Sequence, residues 1–361
     1  MNFTTNKPQK FTTHYSEKLT EYVTSLNWSK SGHKLAVTSA SGEVIIWENQ
    51  TITNLQTSTG KSLDCGGFSA DDQYLAVGGQ DGNVKIWKDK ELIQTLANAP
   101  AWIDKLAWNH TNNLLAFSLG RYVQVWDVDA RELVVTLNFE NSSILGIDWR
   151  QDGKYLAISG YKGVKVWNRE NWDEEPYILY TDTVSTGVAW SSDGKYLASA
   201  NMDRSIAVLE WENPDPWLMR GFPGKIRQLA WSNRTSDTGD PILACASVEG
   251  VVMWHKSVDE SVGWESTILT NHFDIVTAIA HPPQSLNYRL PNNELILASA
   301  GADGWLCLWD ENFQVWEILS GVTEGFSTLA WEPQGKFLAA GGDQGELIIW
   351  SSNNSQCEVI G

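Results

Sequence analysis

Apolar residues in this chain fall in short runs separated by polar, glycine-bearing turns. Residues 188–199, VAWSSDGKYLAS, show the unit: an apolar run into Trp190, a turn at Asp193-Gly194, and a second run beginning at Lys195. Asp-Gly between apolar runs is a strong hairpin signal and predicts a type I′ turn. The phrase recurs as LNWSKSGHKLAV (26–37), GGFSADDQYLAV (66–77), LAWNHTNNLLAF (106–117), IDWRQDGKYLAI (147–158) and LAWEPQGKFLAA (329–340). A second turn follows at Ser41-Gly42, Asp81-Gly82, Lys162-Gly163, Glu249-Gly250, Asp303-Gly304 and Gln344-Gly345. A third apolar strand then closes on Trp47, Trp87, Trp126, Trp167, Leu209, Trp254, Trp309 or Trp350, and a looser fourth strand comes after it. No segment carries a sustained helical period.

The closing residues recur about every forty positions, and a second ladder runs ahead of them: Trp28, Phe68, Trp108, Trp149, Trp190, Trp231, His281 and Trp331. A repeat of this length is one supersecondary unit that cannot bury its own faces, so neighbours must stack. Radial stacking into a closed ring leaves no open end. The pattern therefore predicts an all-β, eight-bladed propeller of four-stranded antiparallel blades, in preference to a seven-bladed ring with one repeat packed outside. Residues 1–9 read as a flexible arm and residues 10–361 as a single propeller. KFTTHY (10–15) is placed to complete the last blade, in competition with CEVI (357–360). Trp211, two residues beyond the Leu209 slot, faces the same side and stands in for the missing Trp. Trp217, Trp264 and Trp316 fall on predicted fourth strands.

These residues and their spacing resemble the WD40-repeat β-propellers over about residues 20–350. The family's Trp-Asp pair survives at Trp126-Asp127 and Trp309-Asp310. The resemblance implies a hydrogen-bonded tetrad, and its residue types occur together in one repeat, as His272, Ser299, Asp303 and Trp309. It also implies that residues entering each innermost strand form the upper rim of a central funnel. Tyr22, Asp64, Trp102 and Asp104 then make an aromatic–acid arc suited to a partner hot spot. Lys225 and Arg227 are the basic pair of that rim. Two insertions, SNRTSDTGDP (232–241) and PPQSLNYRLPNNE (282–294), interrupt the period on the opposite face, and Tyr288, Arg289 and Leu290 read as a contact tip.

Composition narrows the function. A formal charge of −18 repels phosphate backbones and anionic membranes and suits a basic protein partner. The four cysteines lack CxxC spacing, and the N-terminal residues lack a signal-peptide core, which together point to a reduced, cytoplasmic setting. None of the six histidines lies three or four residues from another, and no nucleophile or phosphate-loop phrase occurs. The expectation is a non-catalytic, monomeric scaffold that binds proteins through its rim and lower loops, without cofactor or metal. The alternative is an enzyme or small-ligand binder using the central funnel.

Overall fold

A computed structural model describes residues 10–140, 142–284, 289–290 and 293–352 of the chain. Among them every regular element is a strand or bridge, and all strand pairing is antiparallel. In each repeat the innermost strand pairs with a largely buried second strand, as in Val23–Trp28 with Lys34–Ser39. The third strand follows, then an outer strand such as Thr51–Gln56 or Glu91–Ala97. The second strands are apolar at successive positions because both of their faces are covered by neighbouring sheets.

The hairpin at Asp193-Gly194 is tight, but it is not type I′. Gly194 N donates to Ser191 O at 2.9 Å, and only Gly194 takes a positive φ, of 71°. That is a type I turn followed by a left-handed glycine. Asp193 stabilises it by accepting from Ser191 Oγ at 2.5 Å and Lys195 N at 3.0 Å.

The expectation of eight blades is corrected to seven: backbone hydrogen bonding gathers the described strands into seven sheets. The difference lies between the fourth and fifth repeats. There one extended strand, Tyr177–Trp190, pairs through residues 177–184 with Tyr155–Asn168 and through residues 185–190 with Tyr196–Asn201, so both repeats share a six-stranded sheet. No repeat is expelled from the ring. The cause is local sequence. Elsewhere the outer strand is separated from the next innermost strand by breakers, as in TSTGKS (57–62), NAPA (98–101) or RGFPGK (220–225). Tyr177–Trp190 has no proline, its one glycine is Gly187, and it is rich in β-branched residues, so extended pairing continues through it.

The innermost segments ending at Trp28, Phe68, Trp108, Trp149, Trp190, Trp231, Ala280 and Trp331 touch in that order, and the last touches the first. The six-stranded sheet supplies two of these segments. Polar side chains tie neighbouring sheets in both directions. Trp28, Trp108 and Trp231 donate Nε1–H backwards to Ala330 O (3.2 Å), Gly67 O (2.8 Å) and Ala189 O (3.1 Å). Thr24, Thr277 and Ser327 donate forwards to Leu63 O (2.5 Å), Phe326 O (2.6 Å) and Val23 O (2.6 Å). The Trp28 and Ser327 bonds join the first and last repeats.

Closure is completed by the N-terminal strand Phe11–Lys18, which pairs along the whole of Glu346–Ser352. Phe11 is fully buried there, its ring 5.9 Å from Trp331 and 6.2 Å from Trp316. The 1–9 arm and the rival CEVI segment lie outside the described residues. At the swapped closing position Leu209 is fully buried, while Trp211 packs 5.0 Å from Trp190 and 4.9 Å from Tyr155 in the same cluster. Trp217, Trp264 and Trp316 sit on outer strands, and Trp217 meets Trp264 at 6.3 Å.

Candidate protein-interaction surfaces

The tetrad residues meet inside the seventh repeat. His272 Nδ1 lies 2.9 Å from Asp303 Oδ2, and its Nε2 lies 2.8 Å from Ser299 Oγ. Trp309 Nε1 donates to the same Ser299 oxygen at 2.8 Å. Asp303 also accepts from Phe273 N at 3.1 Å and Trp305 N at 3.0 Å, with no solvent access to its side chain. The network ties the entry loop to the second and third strands and satisfies groups that burial would otherwise strand.

On the upper rim, buried anchors alternate with free side chains in the entry loops. Ile103 is fully buried, while its neighbours Trp102 and Asp104 are exposed, Trp102 by 55%. In the first repeat Val23 is buried and Tyr22 is 44% exposed. Asp64 is held by Ser62 Oγ at 2.5 Å. Burial first, and then the Asp64 charge, push the Asp104 carboxyl above its ordinary range. Innermost strands of the first three repeats are adjacent, which orders the arc as Tyr22, Asp64, then Trp102 and Asp104. Lys225 and Arg227 are exposed but enter the sixth repeat, away from this arc.

Sequence reading missed how the arc continues across the ring closure. Burial and the Glu324 and Glu346 charges push Asp343 upward. Glu346 is engaged by Thr323 Oγ1 (2.8 Å) and Gln344 N (3.0 Å), and Glu324 by Gln344 Nε2 (2.8 Å). None of Asp64, Asp104, Glu324, Asp343 and Glu346 forms a salt bridge among the described residues. The available signal was Asp343 beside the second turn of the last repeat.

On the lower face the two insertions meet. Arg234 Nη1 lies 2.7 Å from Glu294 Oε1, and Gln284 Nε2 donates to Asn233 O. Asp240 anchors the first loop to the fifth repeat, accepting from Lys195 Nζ at 2.7 Å and Tyr196 Oη at 2.8 Å. A cleft of about 610 Å³ opens between the loops, lined by Arg234, Asp237, His255, Glu265 and Phe313 among others. Arg289–Leu290 pairs with the start of Asn293–Gly301, whereas Tyr288 and the side chains of Arg289 and Leu290 lie outside the described residues.

Two half-buried residues carry ionisable groups that their surroundings desolvate. Asp148 lines the channel mouth and accepts from Trp190 N at 2.7 Å, and burial pushes its carboxyl up to about 7. His281, at the ladder position, donates Nδ1–H to Ile296 O at 2.8 Å, and burial holds it down at about 4. The signs oppose. Folded Asp148 keeps its proton where the unfolded chain has lost it, so its contribution is full below about pH 4 and is lost as pH rises to about 7. Folded His281 refuses a proton that the unfolded chain takes up, so its contribution is full above about pH 6.5 and is lost as pH falls towards 4. Asp148→Asn should therefore gain stability over the parent chain as pH rises from about 5 to about 8, by urea midpoints. An unchanged difference across that range would place the carboxyl in contact with bulk water.

Among the described residues no group of three or more His, Cys, Asp or Glu side chains converges in a metal-holding arrangement, and no helix is long and apolar enough to cross a membrane. The ring of stacked antiparallel sheets, with ladder tryptophans at its seams, is matched by the family model "WD domain, G-beta repeat" over residues 6–48, 51–88, 131–168, 178–208, 263–310 and 315–351. This chain belongs to the WD40 family. Among curated proteins it is similar to the WD repeat-containing protein srw1 of Schizosaccharomyces pombe, at 31% identity over 112 residues, which is 30% of this chain and 20% of that one. It is also similar to the anaphase-promoting complex subunit cdc20 of Dictyostelium discoideum, at 25% identity over 133 residues, 36% of this chain and 26% of that one. These matches span about a fifth to a quarter of the relatives' lengths. A chain of a crystal structure titled as the mitotic checkpoint complex superposes with a TM-score of 0.65, covering 97% of this chain and 98% of that one at 18% identity, and so shares the fold.

Proposed function

We propose that this chain is a non-catalytic interaction scaffold whose aromatic–acid rim arc receives a basic segment of a protein partner. WD40 membership, and similarity to a WD repeat-containing protein and to an anaphase-promoting complex subunit, support the scaffold reading. The observation that carries the location is Trp102, more than half exposed next to a buried Ile103 and near Asp104, whose carboxyl is pushed upward by burial and by the Asp64 charge. A lysine or arginine between Asp64 and Asp104 relieves that repulsion, and Trp102 and Tyr22 supply faces for its cation or stem. Lys225 and Arg227 stand apart from this contact.

The lower loops form a second contact surface in this reading, with Tyr288, Arg289 and Leu290 at its tip. It is favoured by the Arg234–Glu294 bridge, which joins the two insertions into one face. The scaffold acts as a monomeric ring in the cytoplasm, without cofactor. In a purified complex, Trp102→Ala should weaken binding by about 2 kcal/mol or more and leave the melting temperature unchanged. Affinity should also fall as salt rises. A large melting loss would make Trp102 a packing residue, and salt-independent binding would remove the acids from the contact.

A further inference from the structure

The sixth repeat carries the same four positions as the tetrad but fills them differently. Phe222 stands where His272 stands, Cys245 replaces Ser299, Glu249 replaces Asp303, and Trp254 matches Trp309. Phe222 packs on Trp254 at 6.1 Å, and Trp254 Nε1 makes no hydrogen bond among the described residues. Where the seventh repeat has a filled polar network, the sixth has a cavity of about 330 Å³, walled by Phe222, Val252, Trp254 and Ile268. The preceding repeat's outer strand, Trp217–Met219, is three residues long, against seven for Trp264–Thr270. From that side only the turn Arg220–Pro223 lines the cavity, and Ile268 is left 64% exposed. Val248 on the rim of the cavity holds φ at 52°, a strained conformation for a β-branched residue.

The charge around this opening is the reverse of the chain's −18. Arg220 lines it, Arg204 donates to Pro223 O in its wall at 3.2 Å, and Lys225 and Arg227 follow that wall directly in sequence. All four are exposed, and none forms a salt bridge among the described residues. Glu249 is the lining acid.

We propose that the cavity of the sixth repeat, with its Arg204/Arg220/Lys225/Arg227 margin, is a socket for one bulky apolar side chain of an acidic partner segment. The apolar wall takes the side chain, and the cations pair with flanking Asp or Glu residues, which the basic-binding arc on the far side of the ring would repel. The socket is thus a second site of opposite preference, independent of Trp102.

Panning a random peptide library displayed on phage against the full chain tests this. Recovered sequences should share a large apolar residue flanked by acids. The commonest, made synthetically, should bind at least tenfold more weakly to Ser266→Trp, where an exposed position lining the socket fills it, and to an Arg220→Glu/Lys225→Glu double variant. Trp102→Ala should bind the peptide unchanged, so that failure here is separable from failure of the rim arc. Circular dichroism melting of each variant checks its fold, and a loss confined to an unfolded variant is repeated with Ile268→Ser. No enrichment, basic consensus sequences, or equal binding to the filled variant would each overturn the socket. So would a parent dimer that Ser266→Trp dissolves in sedimentation, since the occupant would then be a second copy.

Discussion

Asp303→Ala is expected to lower the folding free energy by about 3–5 kcal/mol, because it removes one partner of a fully buried network. The carboxylate, itself without solvent access, accepts from His272 Nδ1, Phe273 N and Trp305 N, and alanine removes the acceptor from all three donors. Ser299→Ala removes the oxygen shared by His272 and Trp309 and should cost less, about 1–3 kcal/mol. Urea unfolding at constant slope measures both. A loss under about 0.5 kcal/mol for Asp303→Ala would be that of a surface change, and would mean that the network does not hold the seventh repeat together.

Phe11→Ala is expected to cost a similar amount, about 3–5 kcal/mol, although the residue lies at the edge of the described chain. Its side chain fills the seam between the last two repeats against Trp316 and Trp331, and its strand completes the sheet that closes the ring. Removing the ring leaves a void in a place where backbone pairing limits collapse. Ser16→Ala lies on the same strand but is exposed, and should stay within about 0.5 kcal/mol. Equal, small effects at the two positions would show that the N-terminal strand is not needed for closure.

Much of this fold is legible in the sequence because its signals are periodic. The ladder tryptophans, the glycine turns and the KFTTHY strand each follow from spacing, and the tetrad types coincide in one repeat. What spacing does not show is how far an extended segment keeps pairing. Tyr177–Trp190 has the β-branched content of a strand and no breaker, yet only the three-dimensional path reveals that it serves two repeats and reduces the sheet count to seven. The rim was legible only in part, because equivalent entry positions differ in what their side chains bond. Asp104 is exposed, while Thr24, Thr277 and Ser327, at the equivalent positions, turn sideways to bond the next strand. The acidic extension through Glu324 and Asp343 depends on ring closure bringing residue numbers more than three hundred apart into one neighbourhood. The sixth-repeat cavity is a substitution pattern, Phe222 for His and Cys245 for Ser, whose consequence appears only when the two repeats are compared in space.

The claim on which the functional reading rests is that the Tyr22–Asp64–Trp102–Asp104 arc receives the partner. Tagged chain expressed in its native cell, recovered alongside a Trp102→Ala/Asp104→Lys variant and compared by quantitative mass spectrometry, measures it most directly. The account predicts that proteins enriched on the parent chain fall at least tenfold on a variant that melts at the same temperature. An identical set of proteins at equal abundance on both would contradict it.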